Sequence, residues 1–238
     1  SVERVAANAQ TRARARTWHG SPSRLVSDQV IEQELGALSV HPIAVLDVGC
    51  GSGLARRHFI AAGLSGTYLG VDIDDRFDRE ADFPDLSSRF EMGDAHTVDL
   101  GAPDLVFSFS ALEHIPNDTA LLARLRGALK PGGMQVHVVP GGWALLAYLW
   151  HGYRHYHRSA LKVRFPMKQT RVIAVGGPGS LMLHTLVIAV PEILLHINLR
   201  KRWPDLFGRL TVFALAVDRL LPIMPTSYVV IERAGNST

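Results

Sequence analysis

The stretch Val45-Leu46-Asp47-Val48-Gly49-Cys50-Gly51-Ser52-Gly53 decides how the chain is read. Residues 43–48 form a short apolar run bounded by Pro42 and Gly49, the pattern of a buried strand. Residues 54–62 read as a helix, and Gly63 stops it. Three glycines at alternate positions between the two permit a tight turn and let a bulky group approach the backbone amides. In a doubly wound α/β fold this turn, outside the carboxyl end of the first strand, is where ligands bind. The spacing matters. A dinucleotide fingerprint needs glycine or alanine three residues after its second glycine. That position is Leu54, and the third glycine falls at Gly53 instead.

Outward from this turn, strands and helices alternate. Further apolar runs at 67–71, 90–92, 105–109 and 134–139 read as strands, and 118–129 as a helix ended by Pro131-Gly132-Gly133. Residues 74–88 read as loop or broken helix. The strands are continuous apolar runs, as expected of a parallel sheet covered by helices on both faces. Asp72 closes the second run, where a carboxylate can accept hydrogen bonds from a ribose diol. Gly93-Asp94-Ala95-His96 follows the third. An aspartate there can accept from an exocyclic amine, and the next backbone N–H can donate to a ring nitrogen.

The flanks are less regular. Residues 2–18 read as a helix and 23–35 as a second, ended by Gly36. Residues 141–158 form an aromatic, His-rich insertion. Residues 172–191 carry no formal charge, but Gly176-Gly177-Pro178-Gly179 interrupts them and leaves too little for a membrane span. Residues 181–199 read as a helix kinked at Pro191, residues 204–221 as another helix, and 227–232 as a last strand. The 181–199 segment has an apolar stripe, and Arg200-Lys201-Arg202 follows at once. That combination suits the face of an anionic membrane or ordinary packing on the sheet or a second subunit.

Composition narrows the classes. A chain of 238 residues, 47% hydrophobic and 20% charged, is long enough to bury a core and too apolar to be disordered. Cys50 is the only cysteine, which excludes an intrachain disulfide and a cysteine-rich zinc site and favours a reducing compartment. No basic-then-apolar leader opens the sequence, so a cytoplasmic location is expected. The net charge of +3 is unevenly spread. Residues 1–119 hold 10 Lys+Arg and 18 Asp+Glu, residues 120–238 hold 15 and 4. The basic half attracts anions in general, but there is no helix-turn-helix, zinc-finger or RNA-binding signature, and no nucleic acid is expected.

Leu46-Asp47-Val48-Gly49-Cys50-Gly51-Ser52-Gly53, Gly70-Val71-Asp72, Gly93-Asp94-Ala95, Ser110-Ala111-Leu112-Glu113-His114 and Leu129-Lys130-Pro131-Gly132-Gly133 form an ordered set over residues 40–140. The set resembles the class I S-adenosylmethionine-dependent methyltransferases, in particular the small-molecule group with the ubiquinone/menaquinone-type enzymes. The resemblance implies a Rossmann-like doubly wound sheet of seven strands, the last antiparallel, in a single domain. Residues 1–36 would be a helical cover, 40–140 the cofactor-binding core, 141–221 the substrate side and 222–238 the last strand and tail. It implies S-adenosylmethionine as cofactor, with Gly49, Gly51, Gly53 and Ser110 around its methionine end. Asp72 would bind its ribose, Asp94 and Ala95 its adenine, and Asp47 would support the first loop. The resemblance is nearly silent on the acceptor.

Methyl transfer from a sulfonium is mainly a matter of alignment, and a base is needed only when the acceptor must lose a proton. His114 and His151 are the expected bases, because imidazoles titrate near neutrality. Trp143, Trp150, Tyr153 and His155 are the expected acceptor contacts, suited to an aromatic, hydroxylated or lipophilic small molecule. No metal is expected. O-methylation is the leading expectation, with C- or N-methylation of a lipid-linked or natural-product acceptor as the alternative. A nicotinamide oxidoreductase or a non-catalytic binding module on the same fold is more remote. Peripheral membrane contact and a homodimer are open expectations.

Overall fold

The computed structural model describes residues 2–38, 42–81, 83–146, 154–166 and 169–235. In chain order the strands are β1 (Val2–Arg4), β2 (Ile43–Val48), β3 (Gly66–Asp72), β4 (Leu86–Met92), β5 (Leu105–Phe109), β6 (Met134–Pro140), β7 (Thr170–Val175) and β8 (Ser227–Arg233). The helices are α1 (Ala9–Arg14), α2 (Pro22–Gly36), α3 (Arg56–Ala61), α4 (Asp118–Ala128), α5 (Arg158–Arg164), α6 (Pro178–Leu183), α7 (Val190–Leu194), α8 (Leu199–Arg202) and α9 (Pro204–Leu220). The sheet order is β1-β7-β8-β6-β5-β2-β3-β4. β2 lies parallel between β3 and β5, with Asp47 opposite Gly70 and Phe107. β3 pairs parallel with β4, and β5 with β6. This is the Rossmann-like mixed α/β architecture expected from the alternating runs.

The chain divides into two compact units. One comprises Ile31–Val139, Arg158–Arg171 and Val230–Thr238, and the other Ser1–Val30, Pro140–His157 and Val172–Val229. In the first, apolar side chains from both faces of the central strands are buried, as parallel strands covered by helices require. Phe59 of α3 sits edge-on to Phe107 of β5, with centroids 5.4 Å apart, and beside Tyr68 of β3. Two returning segments belong to this unit. Arg164 of α5 donates to Asp118 of α4 at 2.6 Å, and Glu232 of β8 accepts from Arg126 of α4 at 3.0 Å.

In the second unit, Gln29 of α2 accepts from the Asn8 backbone N–H and the Thr11 hydroxyl, pinning the N-terminal segment. Leu183 and Ile188 pack with Phe207 and Ala214 of α9 in one buried cluster. Tyr156 is buried, and its N–H donates to the Pro140 carbonyl at 2.9 Å, tying the two ends of the aromatic insertion together.

Three elements differ from the sequence expectation. The sheet has eight strands, not seven. The added strand is β1, where a helix was expected; Val2-Glu3-Arg4 pairs parallel with β7, Val2 opposite Val172. Asn8 then caps α1 by accepting from the Thr11 N–H, so the helix starts only at Ala9. β7 overlaps the start of the uncharged run, where no element was expected before residue 181. The helix expected over 181–199 is α6, a π-helical segment His184–Ala189 and α7. Pro191 has no N–H and crowds the carbonyl four residues back, and the wider π-turn just before it absorbs that mismatch. The Val190 N–H accordingly reaches back to the Thr185 carbonyl.

Candidate functional site

The glycine run leaves the carboxyl end of β2 and turns under its own backbone bonds. Gly49 and Cys50 N–H both donate to the Val71 carbonyl, at 2.8 and 3.2 Å. Gly49 has φ +68, and a Cβ there would lie 2.4 Å from the Ala111 side chain. Only glycine lets this turn and the loop after β5 approach so closely. At Gly51, φ +54, an added Cβ would meet open space, so the turn leaves room on that side.

Asp72, at the end of β3, is buried and works in two directions. Its Oδ2 accepts from the Gly51 N–H at 2.8 Å and its Oδ1 from the Asp74 N–H at 3.1 Å. Arg76 approaches Oδ1 at 3.5 Å. A carboxylate has about four lone-pair positions, so both oxygens keep capacity for hydroxyl donors. Asp94 lies after β4; one of its oxygens accepts from the His96 N–H at 2.8 Å. The His96 ring in turn meets the Pro116 carbonyl at 3.0 Å, joining the loop after β4 to the loop after β5. Ser110 has φ +50, a strained position for a non-glycine residue, held by its N–H on the Val138 carbonyl.

These loops surround a cavity of about 270 Å³. Gly49, Asp72, Asp94, Ala95, Ser110 and His114 all line it, so six of the residues singled out in the sequence come together. Asp47, Gly51 and Gly53 do not line it. Asp47 is buried behind the turn and accepts from the Tyr68 hydroxyl at 2.7 Å. Burial pushes its carboxyl up to about 7, against the lowering effect of that hydrogen bond. Trp143 is exposed and His155 half-buried, both in the other unit and neither among the cavity's lining residues. His151, Trp150 and Tyr153 lie outside the described residues.

The sequence reading missed several contributors. Ile73, Arg76, Ile115 and Pro116 line the cavity from loops with no periodic pattern to announce them. Glu113, which the Ser110–His114 motif already contained, is buried and does not line the cavity, and its Oε2 has no hydrogen-bond partner among the described residues. Burial pushes its carboxyl up to about 7. Arg56 is buried behind the glycine turn. It donates to the Gly53 and Asp78 carbonyls at 2.9 and 2.8 Å and lies over the rings of Phe83 and Phe90. Among the described residues, no group of three or more His, Cys, Asp or Glu could hold a metal ion.

The family model described as "Methyltransferase domain" matches residues 46–135, the segment that carries the turn, both aspartates and Ser110. Residues 46–135 are thus similar to methyltransferase domains. Curated relatives also match part of the chain. Over 97 residues the chain is 36% identical to a trans-aconitate 2-methyltransferase of Deinococcus radiodurans, covering 40% of this chain and 37% of that protein. Over 114 residues it is 37% identical to an uncharacterized methyltransferase of Mycobacterium tuberculosis, covering 45% of this chain and 55% of that one. The matched segment thus spans about a third to a half of these relatives. The fold also matches the solved structure of Haemonchus contortus phosphoethanolamine N-methyltransferase 2 in complex with S-adenosyl-L-methionine. The TM-score is 0.55 at 18% identity, covering 89% of this chain and 53% of that one. These relatives bear on the methyltransferase class and not on the quinone subgroup.

Proposed function

We propose that the protein transfers a methyl group from S-adenosylmethionine to an oxygen of a small molecule. The observation that carries this reading is the cavity at the carboxyl ends of β2, β3, β4 and β5, with two carboxylates and the glycine turn on its wall. The residues present fit the cofactor. Asp72 offers acceptors for ribose hydroxyls, and Asp94 an acceptor for an exocyclic amine with the Ala95 amide beside it. Val48, Val71, Ile73 and Ile115 give apolar walls for a flat ring. Gly49 and Ser110 stand at the end left for the methionine portion. When bound, the cofactor supplies an electrophilic methyl on a sulfonium. The chain's part is to align the acceptor oxygen with it, exclude water and take up the acceptor's proton where one is lost.

His114 lines the cavity and is exposed to it, so it is the assigned base; His151 is the second candidate. Trp143, Trp150, Tyr153 and His155 are assigned to an aromatic, hydroxylated or lipophilic acceptor. A relative named for trans-aconitate supports a small, oxygen-bearing acceptor. A lipophilic acceptor would be met at the inner face of a membrane by a peripherally bound cytoplasmic enzyme. Among the described residues no helix is long and apolar enough to cross one.

Calorimetric titration with S-adenosylhomocysteine tests the cofactor site. Asp72→Ala removes acceptors that are charged, a loss of about 1.5–3 kcal/mol, which is roughly 10- to 150-fold in affinity. Affinity within twofold of the parent would remove Asp72 from the site. A screen of labelled methyl donor against lipid and metabolite extracts identifies the acceptor class and separates O- from C- or N-methylation. With that acceptor, His114→Ala should lower turnover about 100-fold at unchanged cofactor affinity. Parental turnover with an intact low-pH limb would exclude His114 as the base.

A further inference from the structure

Thirteen of the twenty large hydrophobic side chains exposed among the described residues fall between Met182 and Ile223. They are not a core left open, because Leu183, Ile188, Phe207 and Ala214 already fill the inner side of these helices. The densest group is the end of α7 and the turn after it, where Ile193, Leu194 and Leu195 are each 61–70% exposed and Ile197 follows. The turn has a fixed shape. Leu195 and Ile197 N–H both donate to the Pro191 carbonyl, and His196 takes φ +55. Asn198 then caps α8 by accepting from the Lys201 N–H at 2.9 Å. α8 is a single turn bearing Arg200, Lys201 and Arg202. Exposed Trp203 comes next, with the Arg202 guanidinium 5.6 Å from its ring. Glu192 pairs with Arg200, which leaves Lys201 and Arg202 as the outward cations of the turn.

We infer that residues 193–203 are a docking element for an anionic membrane surface, with the aliphatic turn entering the headgroup region and Lys201 and Arg202 on the lipid charges. This deepens the peripheral membrane contact proposed above and rests on it. Aliphatic side chains, a flanking tryptophan and adjacent cations are the composition of an interfacial anchor. Charge separates this occupant from a second copy of the chain. In a symmetric dimer a patch meets itself, so the cations of α8 would face their own copies. An anionic surface complements them. The outer face of α9 repeats the pattern with Leu206, Arg209, Phe213 and Leu220, spaced three, four and seven residues apart.

Co-sedimentation with vesicles of phosphatidylcholine, with and without phosphatidylglycerol, at low and high salt tests the inference. The parent should pellet with the mixed vesicles at low salt and stay in the supernatant with phosphatidylcholine alone or at high salt. Lys201→Gln/Arg202→Gln should weaken binding about 30-fold, since each cation near such a surface is worth about a factor of five. Leu194→Gln/Leu195→Gln should abolish pelleting. S-adenosylhomocysteine titration of each variant reports folding and the cofactor site separately from the membrane. If the parent pellets and both double variants pellet equally, the docking element is elsewhere and the peripheral reading survives. If the parent never pellets with anionic vesicles at low salt, both fail. If sedimentation velocity shows a dimer that Leu194→Gln/Leu195→Gln dissociates, with no effect on vesicles, the turn is a subunit interface and the inference is overturned.

Discussion

Burial pushes the Asp47 carboxyl up to about 7 from an ordinary value near 3.8, with the Tyr68 hydroxyl as its hydrogen-bond donor at 2.7 Å. Between those two values the Asp47 carboxyl holds its proton in the folded protein and loses it in the unfolded chain. Its contribution to stability is therefore full below about 3.8 and falls as pH rises toward 7, by at most about 1.4 kcal/mol per pH unit. Asp47→Asn keeps an oxygen for the Tyr68 hydroxyl and removes the ionisation. Urea denaturation at a series of pH values should give a flatter stability profile for the variant between pH 4 and 7. Equal slopes for variant and parent would show that Asp47 does not titrate in that window. The motif fixed Asp47 as important without its mode of action. Asp47 is a buried acid that accepts from the Tyr68 hydroxyl, which its neighbours in sequence do not reveal because Tyr68 lies on another strand.

At the level of elements, the loop after β3 is held to the glycine turn by Arg56. Its guanidinium bridges the Gly53 and Asp78 carbonyls while the Asp78 N–H donates to the Ser52 carbonyl. Phe77 stacks on Phe90 at 4.9 Å beside it. Arg56→Leu fills the space but leaves two carbonyls without their donor, so it should cost about 1–3 kcal/mol. Limited proteolysis should cut faster within residues 74–81, and Arg56→Lys, with one donor group in place of a planar fork, should rescue only in part. Unchanged cleavage would mean that the aromatic stack alone holds the loop. The strands β2 and β5 were legible to the residue, because a buried parallel strand is an uninterrupted apolar run bounded by breakers. β1 and β7 were not. β1 has three residues and needs β7 to satisfy its backbone, and β7 is a six-residue strand overlapping the head of an uncharged run. The Arg56 clasp was equally invisible, since its partners are backbone carbonyls 3 and 22 residues away.

For the whole molecule, the compact unit is larger than the segment matching the methyltransferase family. The unit that contains it also takes Arg158–Arg171 and Val230–Thr238, which bring Arg164 to Asp118 and Glu232 to Arg126. A fragment of residues 31–139 would leave Asp118 without Arg164 and Arg126 without Glu232. It should show loose packing, with dye binding and no cooperative thermal transition, whereas the full chain unfolds cooperatively. A cooperative transition in the fragment would show that the returning segments are dispensable. The bond between the His96 ring and the Pro116 carbonyl has a consequence of another kind. It ties together two loops that each line the cavity, so any bound molecule leaving between them must wait for that bond to open. Affinity depends on the walls, whereas opening of the clasp would set how long an occupant leaving by that route stays. A spent cofactor held behind it would compete with fresh donor, and turnover would then follow the pace of exchange at the rim, not the displacement at carbon.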